Sequence, residues 1–229
     1  RKDTPEEDEE AEAAAAKIVR PQEEWADEAV RRKLAEEFGS AKPFPHVVLM
    51  NFLGKDGHKA VREDIQKVDA TEKETDLFRF FQTGDLAIRP SAQGSSKASS
   101  PRKKRKVALD ALSSSPALRA LRALFSSPDF RSMCQEITRC GELSDRVDLS
   151  AQVYPRGSHL LCHDDVIGTR KVSFIYYLTD AEEDWSSIEG GALELYPQQT
   201  GAPPGTPAAV PHREVLPTAD SLAMFLVEP

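Results

Sequence analysis

Leu160-Leu161-Cys162-His163-Asp164-Asp165, then Lys171-Val172-Ser173-Phe174-Ile175-Tyr176-Tyr177-Leu178, then Gly190-Gly191-Ala192-Leu193-Glu194-Leu195-Tyr196, is the stretch on which the reading of the fold turns. Side chains alternate faces along an extended chain, so His163 and Asp165, two apart, point the same way and can reach one cation. A His-x-Asp tripeptide arises readily by chance and needs its context. Here a short polar turn around Gly168 follows, then the β-branched and aromatic run Val172 to Leu178, which predicts a buried strand, then Gly190-Gly191 opening another strand over Ala192 to Tyr196. That is an antiparallel β series with half a metal site at its mouth.

Working outward, Val147 to Tyr154 predicts the strand leading into this stretch, and Ser221 to Val227 predicts a further buried strand after an irregular connection over Pro197 to Pro217. Pro116 to Phe125 and Pro128 to Thr138 predict two short helices, each opened by Ser-Pro and expected to cover a face of the β core. Pro21 to Phe38 predicts a longer helix, with Trp25, Val30, Leu34 and Phe38 as its apolar stripe and Gly39 at its end. Val47 to Leu53 and Leu77 to Phe81 predict strands, and Ala60 to Val68 a helix. His46 has no acidic or histidine neighbour at ligand spacing and is expected to be a turn or core-edge residue, and His58, in the Gly54-Lys55-Asp56-Gly57 turn, is expected to be the same.

Composition bounds the function. With 229 residues, 39% of them apolar, the chain can bury one good core or two small ones. The net charge of -8 is unevenly placed. Residues 1–20 carry an acidic, alanine-rich stretch expected to be a disordered tail, and the domain is expected to occupy residues 21–229. The chain opens on Arg1, which predicts sequence upstream of it, and no signal-peptide or membrane-spanning pattern is visible, so a soluble protein is expected. Cys134, Cys140 and Cys162 are too few for a disulfide framework and predict reduced thiols in cytosol or nucleus. Residues 89–115 shift to Ser, Ala, Pro and cations, which predicts a flexible insertion holding Arg102-Lys103-Lys104-Arg105-Lys106. An exposed run of cations is either a solvated charge cluster or the signal read by a nuclear import receptor; import is the expectation, with the protein in nucleus and cytoplasm.

The His163 to Tyr196 stretch, together with Pro43-Phe44-x-His46, Asn51-Phe52-Leu53 and Thr75-Asp76-Leu77-Phe78-x-Phe80, resembles the iron(II)- and 2-oxoglutarate-dependent oxygenases, in particular the prolyl hydroxylases that modify a small-subunit ribosomal protein. The resemblance implies a mainly β fold with flanking α, a double-stranded β-helix or distorted jelly roll. It implies Fe(II) held by His163 and Asp165, with 2-oxoglutarate as co-substrate and ascorbate as a candidate auxiliary reductant. Tyr177 is the implied hydroxyl for the far carboxylate of 2-oxoglutarate, and Tyr154 a candidate donor to the keto acid or substrate. The second iron histidine and the cation that pairs with the far carboxylate are expected beyond Pro229. No catalytic residue is expected outside the metal centre. Hydroxylation of a prolyl residue at C3 in a ribosomal protein is the implied reaction. An oxygenase acting on another peptide or on nucleic acid, or a non-catalytic nuclear interaction module on a degenerate barrel, are the alternatives, and the acidic balance weighs against a nucleic-acid substrate.

Overall fold

The computed structural model describes residues 5–86 and 115–227; the basic insertion and its Arg102 to Lys106 cluster lie outside the described residues. The chain forms two compact units interleaved in sequence. The first is drawn from Arg1–Arg20, Asp56–Phe130 and Ser144–His159, the second from Pro21–Lys55, Arg131–Leu143 and Leu160–Pro229.

In the first unit the acidic opening is a helix, α1 (Pro5–Ile18), where a disordered tail was expected. Alanine has the highest helix propensity, and Lys17 in the last turn suits the helix dipole. Tertiary contact then fixes it: Ala15 and Val19 are buried, and Glu12 pairs with Arg119 at 3.2 Å. Arg119 belongs to α4 (Pro116–Phe125), which packs on α1. Between them in sequence come α3 (Lys55–Ile65), β2 (Thr71–Glu74) and β3 (Phe78–Gln82). His58, expected in a turn, is a buried residue of α3.

Strand β3 is flanked by β2 and by β4 (Gln152–Val153), both antiparallel. The expected strand from Val147 therefore shrinks to two residues, extended only by backbone bonds such as Thr83 N to Ala151 O and Leu86 N to Leu149 O. The buried end of α4 is closed from outside the helix. Ser115 supplies no side-chain cap, and Asp64 Oδ2 instead accepts from the backbone N–H groups of Ala117 at 2.8 Å and Leu118 at 3.3 Å.

The second unit holds a three-stranded antiparallel sheet in the order β1 (His46–Leu49), β9 (Leu222–Leu226), β6 (Val172–Tyr176). Leu222, paired with Leu49 on one side and Tyr176 on the other, is fully buried with Met224 at the sheet's centre. Helix α2 (Glu28–Ser40) starts later than expected because Asp27 interrupts the pattern: its Oδ1 accepts from Ala29 N at 2.7 Å and Val30 N at 3.1 Å, capping α2 and leaving Glu23–Ala26 as a separate 3-10 turn. Most of α5 (Pro128–Thr138) belongs here, with Cys134 Sγ 3.9 Å from Met224 Sδ and Glu136 paired to Arg31 at 3.0 Å. A hairpin of β7 (Leu193–Leu195) and β8 (Arg213–Val215) completes the unit.

Helices hold more of the described residues than strands do, so the balance is mixed α and antiparallel β rather than mainly β. No helix among the described residues is long and apolar enough to cross a membrane.

Candidate metal centre

His163 and Asp165 lie between β5 (His159–Leu160) and β6, in irregular chain and not on the strand expected for them. The reason is local: Asp164 Oδ1 accepts from Val166 N at 3.3 Å, Arg170 N closes a turn on Ile167 O, and Gly168 sits at φ +59°, where only glycine is unstrained. The two side chains nevertheless converge, with His163 Nε2 3.3 Å from Asp165 Oδ1. Two donors bound about 2.1 Å from one cation at right angles are about 3 Å apart, so the pair already has nearly the separation that adjacent ligands need.

The tautomer is fixed as well. His163 Nδ1 lies 2.8 Å from the Leu161 carbonyl, which can only accept, so Nδ1 carries the proton and Nε2 is the metal-facing atom. Asp165 is also held by the Ser173 hydroxyl and by Arg170, whose Nη1 is 3.7 Å from the same Oδ1. The hydrogen bond between His163 and Asp165 is the largest influence on both, raising the imidazole's pKa and lowering the carboxylate's. Asp165 is thus an anion ready to ligate, and a metal entering at Nε2 displaces a proton.

Among the described residues no group of three or more His, Cys, Asp or Glu side chains is arranged to hold a metal, so His163 and Asp165 are a pair without a third protein ligand there. His212 precedes β8 and neighbours His46, and His159 is an exposed residue of β5. His46 is itself a buried residue of β1 whose Nδ1 is 2.8 Å from Phe44 O, in keeping with a core-edge role.

Of the two expected phenols, Tyr177 follows β6 directly and stays in register with β9: its N–H donates to Ser221 O at 2.9 Å and its carbonyl accepts from Asp220 N at 3.2 Å. Strand alternation puts Tyr177 on the face of Ser173, the residue bonded to Asp165, and puts Tyr176 on the opposite face. Tyr176 is accordingly structural, its ring edge-on to Phe52 and its hydroxyl donating to Asp220 at 2.7 Å. Tyr154 belongs to the first unit, where its ring lies 5.2 Å from that of Phe80 and its hydroxyl donates to Gln152 at 2.7 Å. Sequence reasoning missed Arg170 and Ser173. Ser173 was available from its parity with Tyr177; nothing in the sequence singled out Arg170.

Residues 149–229 match the family model described as the 2OG-Fe(II) oxygenase superfamily, a segment that contains the whole His163-Asp165 pair and β6 to β9. The chain is 37% identical over 188 residues to the prolyl 3,4-dihydroxylase OGFOD1 of Ostreococcus tauri, an alignment covering 82% of this chain and 33% of that protein. It is 30% identical over 198 residues to the prolyl 3-hydroxylase OGFOD1 of Xenopus laevis, covering 84% of this chain and 32% of the relative. To the prolyl 3-hydroxylase sudestada1 of Drosophila melanogaster it is 28% identical over 209 residues, covering 89% and 34%. The chain thus spans about one third of the length of these curated relatives. A His-x-Asp pair at ligand separation thus lies inside the segment that is similar to the 2OG-Fe(II) oxygenase superfamily, in a chain that aligns along most of its own length with part of these prolyl hydroxylases.

Proposed function

We propose that the protein is an iron(II)- and 2-oxoglutarate-dependent dioxygenase that hydroxylates a prolyl residue, at C3, of a small-subunit ribosomal protein, on a double-stranded β-helix. The observation that carries this reading is the 3.3 Å approach of His163 Nε2 to Asp165 Oδ1 with the histidine tautomer fixed by Leu161. The relatives' names supply the substrate chemistry, prolyl hydroxylation. Bound iron supplies the activation of dioxygen that couples decarboxylation of 2-oxoglutarate to C–H hydroxylation.

The chain's own residues have positioning roles. His163 Nε2 and Asp165 Oδ1 would hold the metal on one side, leaving other positions for the keto acid. The Leu161 carbonyl orients the imidazole, and Ser173 with Arg170 orients the carboxylate. The Tyr177 hydroxyl would donate to the far carboxylate of 2-oxoglutarate, and Tyr154 is the second phenol assigned to co-substrate or peptide. In this reading the Arg102 to Lys106 cluster is bound by an import receptor, and the protein works in nucleus and cytoplasm.

Full-length protein incubated with Fe(II), 2-oxoglutarate and small-subunit ribosomal peptides should add one oxygen to a prolyl residue, read by tandem mass spectrometry. Methylated oligonucleotides in a parallel reaction should be unchanged. Demethylated oligonucleotide with untouched peptide would refute the substrate assignment.

A further inference from the structure

The Asp220 side chain accepts three hydrogen bonds, and nothing in the metal chemistry calls for it. It is buried, 6% exposed, and adopts φ +55°, a left-handed conformation that few residues other than glycine, asparagine and aspartate adopt. Its Oδ1 accepts from Leu53 N at 2.9 Å and from the Tyr176 hydroxyl at 2.7 Å, and its Oδ2 accepts from Gly54 N at 2.7 Å. Its backbone is engaged too: the carbonyl accepts from Phe52 N at 2.8 Å, and the N–H donates to the carbonyl of Tyr177 at 3.2 Å.

One residue therefore ties the Phe52–Gly54 turn, the start of β9 and the end of β6. Burial and the neighbouring carboxylate push the Tyr176 phenol far above its usual pKa, so it remains a donor to Asp220 across the working pH range. With Tyr176 locked on one face and the Tyr177 backbone held at its carbonyl by Asp220 and at its N–H by Ser221, the Tyr177 side chain is committed to the face of Ser173 and Asp165.

We infer that Asp220 is a positioning residue for 2-oxoglutarate: its clamp on the end of β6 aims Tyr177 at the far carboxylate of the co-substrate. This rests on the reading of Tyr177 given above. The hydrogen bonds of Asp220 maintain the register of a binding phenol five residues beyond the strand's start, without Asp220 touching the ligand.

The test uses full-length protein with Mn(II) in place of iron and compares binding of 2-oxoglutarate with 2-oxobutyrate, a keto acid that lacks the far carboxylate. In Tyr177→Phe the preference for 2-oxoglutarate should fall roughly ten- to a hundredfold, the loss of a hydrogen bond to a charged group. Asp220→Asn, which places an amide against the Gly54 or Leu53 N–H, should lower the same preference by a comparable factor while leaving 2-oxobutyrate binding near wild type. The double variant should lose little more than either alone, because both act through one phenol. Amide hydrogen exchange supplies a readout independent of ligand: Asp220→Asn should raise exchange at Tyr177 at least tenfold and leave Leu118 of α4 unchanged. Tyr176→Phe, which removes one bond and keeps the two backbone amides, should give a smaller effect of the same kind.

The outcomes separate cleanly. If Tyr177→Phe keeps full preference for 2-oxoglutarate, or wild type shows none, the assignment of Tyr177 fails and this inference with it. If Tyr177→Phe loses the preference and Asp220→Asn keeps it, or lowers binding of both keto acids equally, the positioning role of Asp220 is overturned while Tyr177 stands. Unchanged exchange at Tyr177 in Asp220→Asn overturns the clamp itself.

Discussion

Replacing Asp64 by alanine should destabilise the protein by about 2 kcal/mol, through a helix that lies fifty residues further along the chain. Asp64 is 5% exposed, and its Oδ2 accepts from Ala117 N and Leu118 N, in the first turn of α4 just behind Pro116. Pro116 has no N–H, and Ser115 gives no side-chain cap bond, so these amides depend on Asp64. Loss of such a cap costs about 0.5–2 kcal/mol. The favourable placement of a carboxylate at a helix N-terminus adds about 0.3–1 kcal/mol. The ion pair from Oδ1 to Lys67 Nζ, at 2.8 Å, contributes about 0–1 kcal/mol because the lysine is 59% exposed.

These contributions overlap, which brings the expected total to about 2 kcal/mol and, for a chain of this size, a fall in Tm of about 4–8 °C. Urea unfolding at pH 7 measures it. Asp64→Asn, which keeps a carbonyl acceptor, should lose about half as much, and Lys67→Ala less than about 1 kcal/mol. If Lys67→Ala matched Asp64→Ala, the ion pair and not the cap would be responsible, and if Asp64→Ala stayed within about 0.5 kcal/mol of wild type, water would be capping α4 and the argument would fail.

His163→Ala and Asp165→Ala should each abolish Mn(II) binding in the full-length protein, followed by electron paramagnetic resonance; retention of the bound signal in either would remove that residue from the metal centre. Replacing Arg102, Lys103, Lys104, Arg105 and Lys106 together by alanine should leave Tm unchanged while a fluorescent fusion loses nuclear accumulation, and retained accumulation would return the cluster to a solvated charge run. Burial, the largest influence on His46, lowers its pKa below 6.5, with Arg213 and His212 acting in the same direction and the Phe44 carbonyl opposing them. The unfolded chain then binds the proton more readily than the folded one, so stability should fall as pH drops below about 6.5, and His46→Gln should flatten that part of the urea-midpoint profile.

How much was legible differs from element to element. Helices α4 and α5 appear at the boundaries that their Ser-Pro pairs announced, because proline at the first turn and leucines at helical spacing are local signals. Helix α1 was misread because alanine-rich acidic sequence has little to bury by itself; what fixes it is packing against α4, about a hundred residues away. Asp27 was overlooked as a cap since it sits inside an otherwise helical pattern. At the candidate site, the His163-Asp165 pairing was visible from spacing although the chain there is irregular and not strand, because two residues apart is close enough for convergence in either conformation. Asp220 carried no sequence signal at all. Its partners lie 166 and 167 residues upstream in the Leu53-Gly54 turn and 44 upstream at Tyr176, and a single sequence contains no trace of such pairings.

The strand order β1-β9-β6 bears on how the family-matched region can be handled as a piece of protein. Residues 149–229 supply β9 and β6, but β1 comes from His46–Leu49, outside that region. Cut out and expressed alone, the segment would present the bare edge of β9, with Leu222, Ala223, Met224 and Phe225 beside unsatisfied backbone groups, as a template for any other strand it met. It would also lack Leu53 and Gly54, leaving the carboxylate of Asp220 half-solvated and its left-handed backbone unsupported. A recombinant fragment trimmed to residues 149–229 should therefore aggregate, and one that begins upstream of α2 should not.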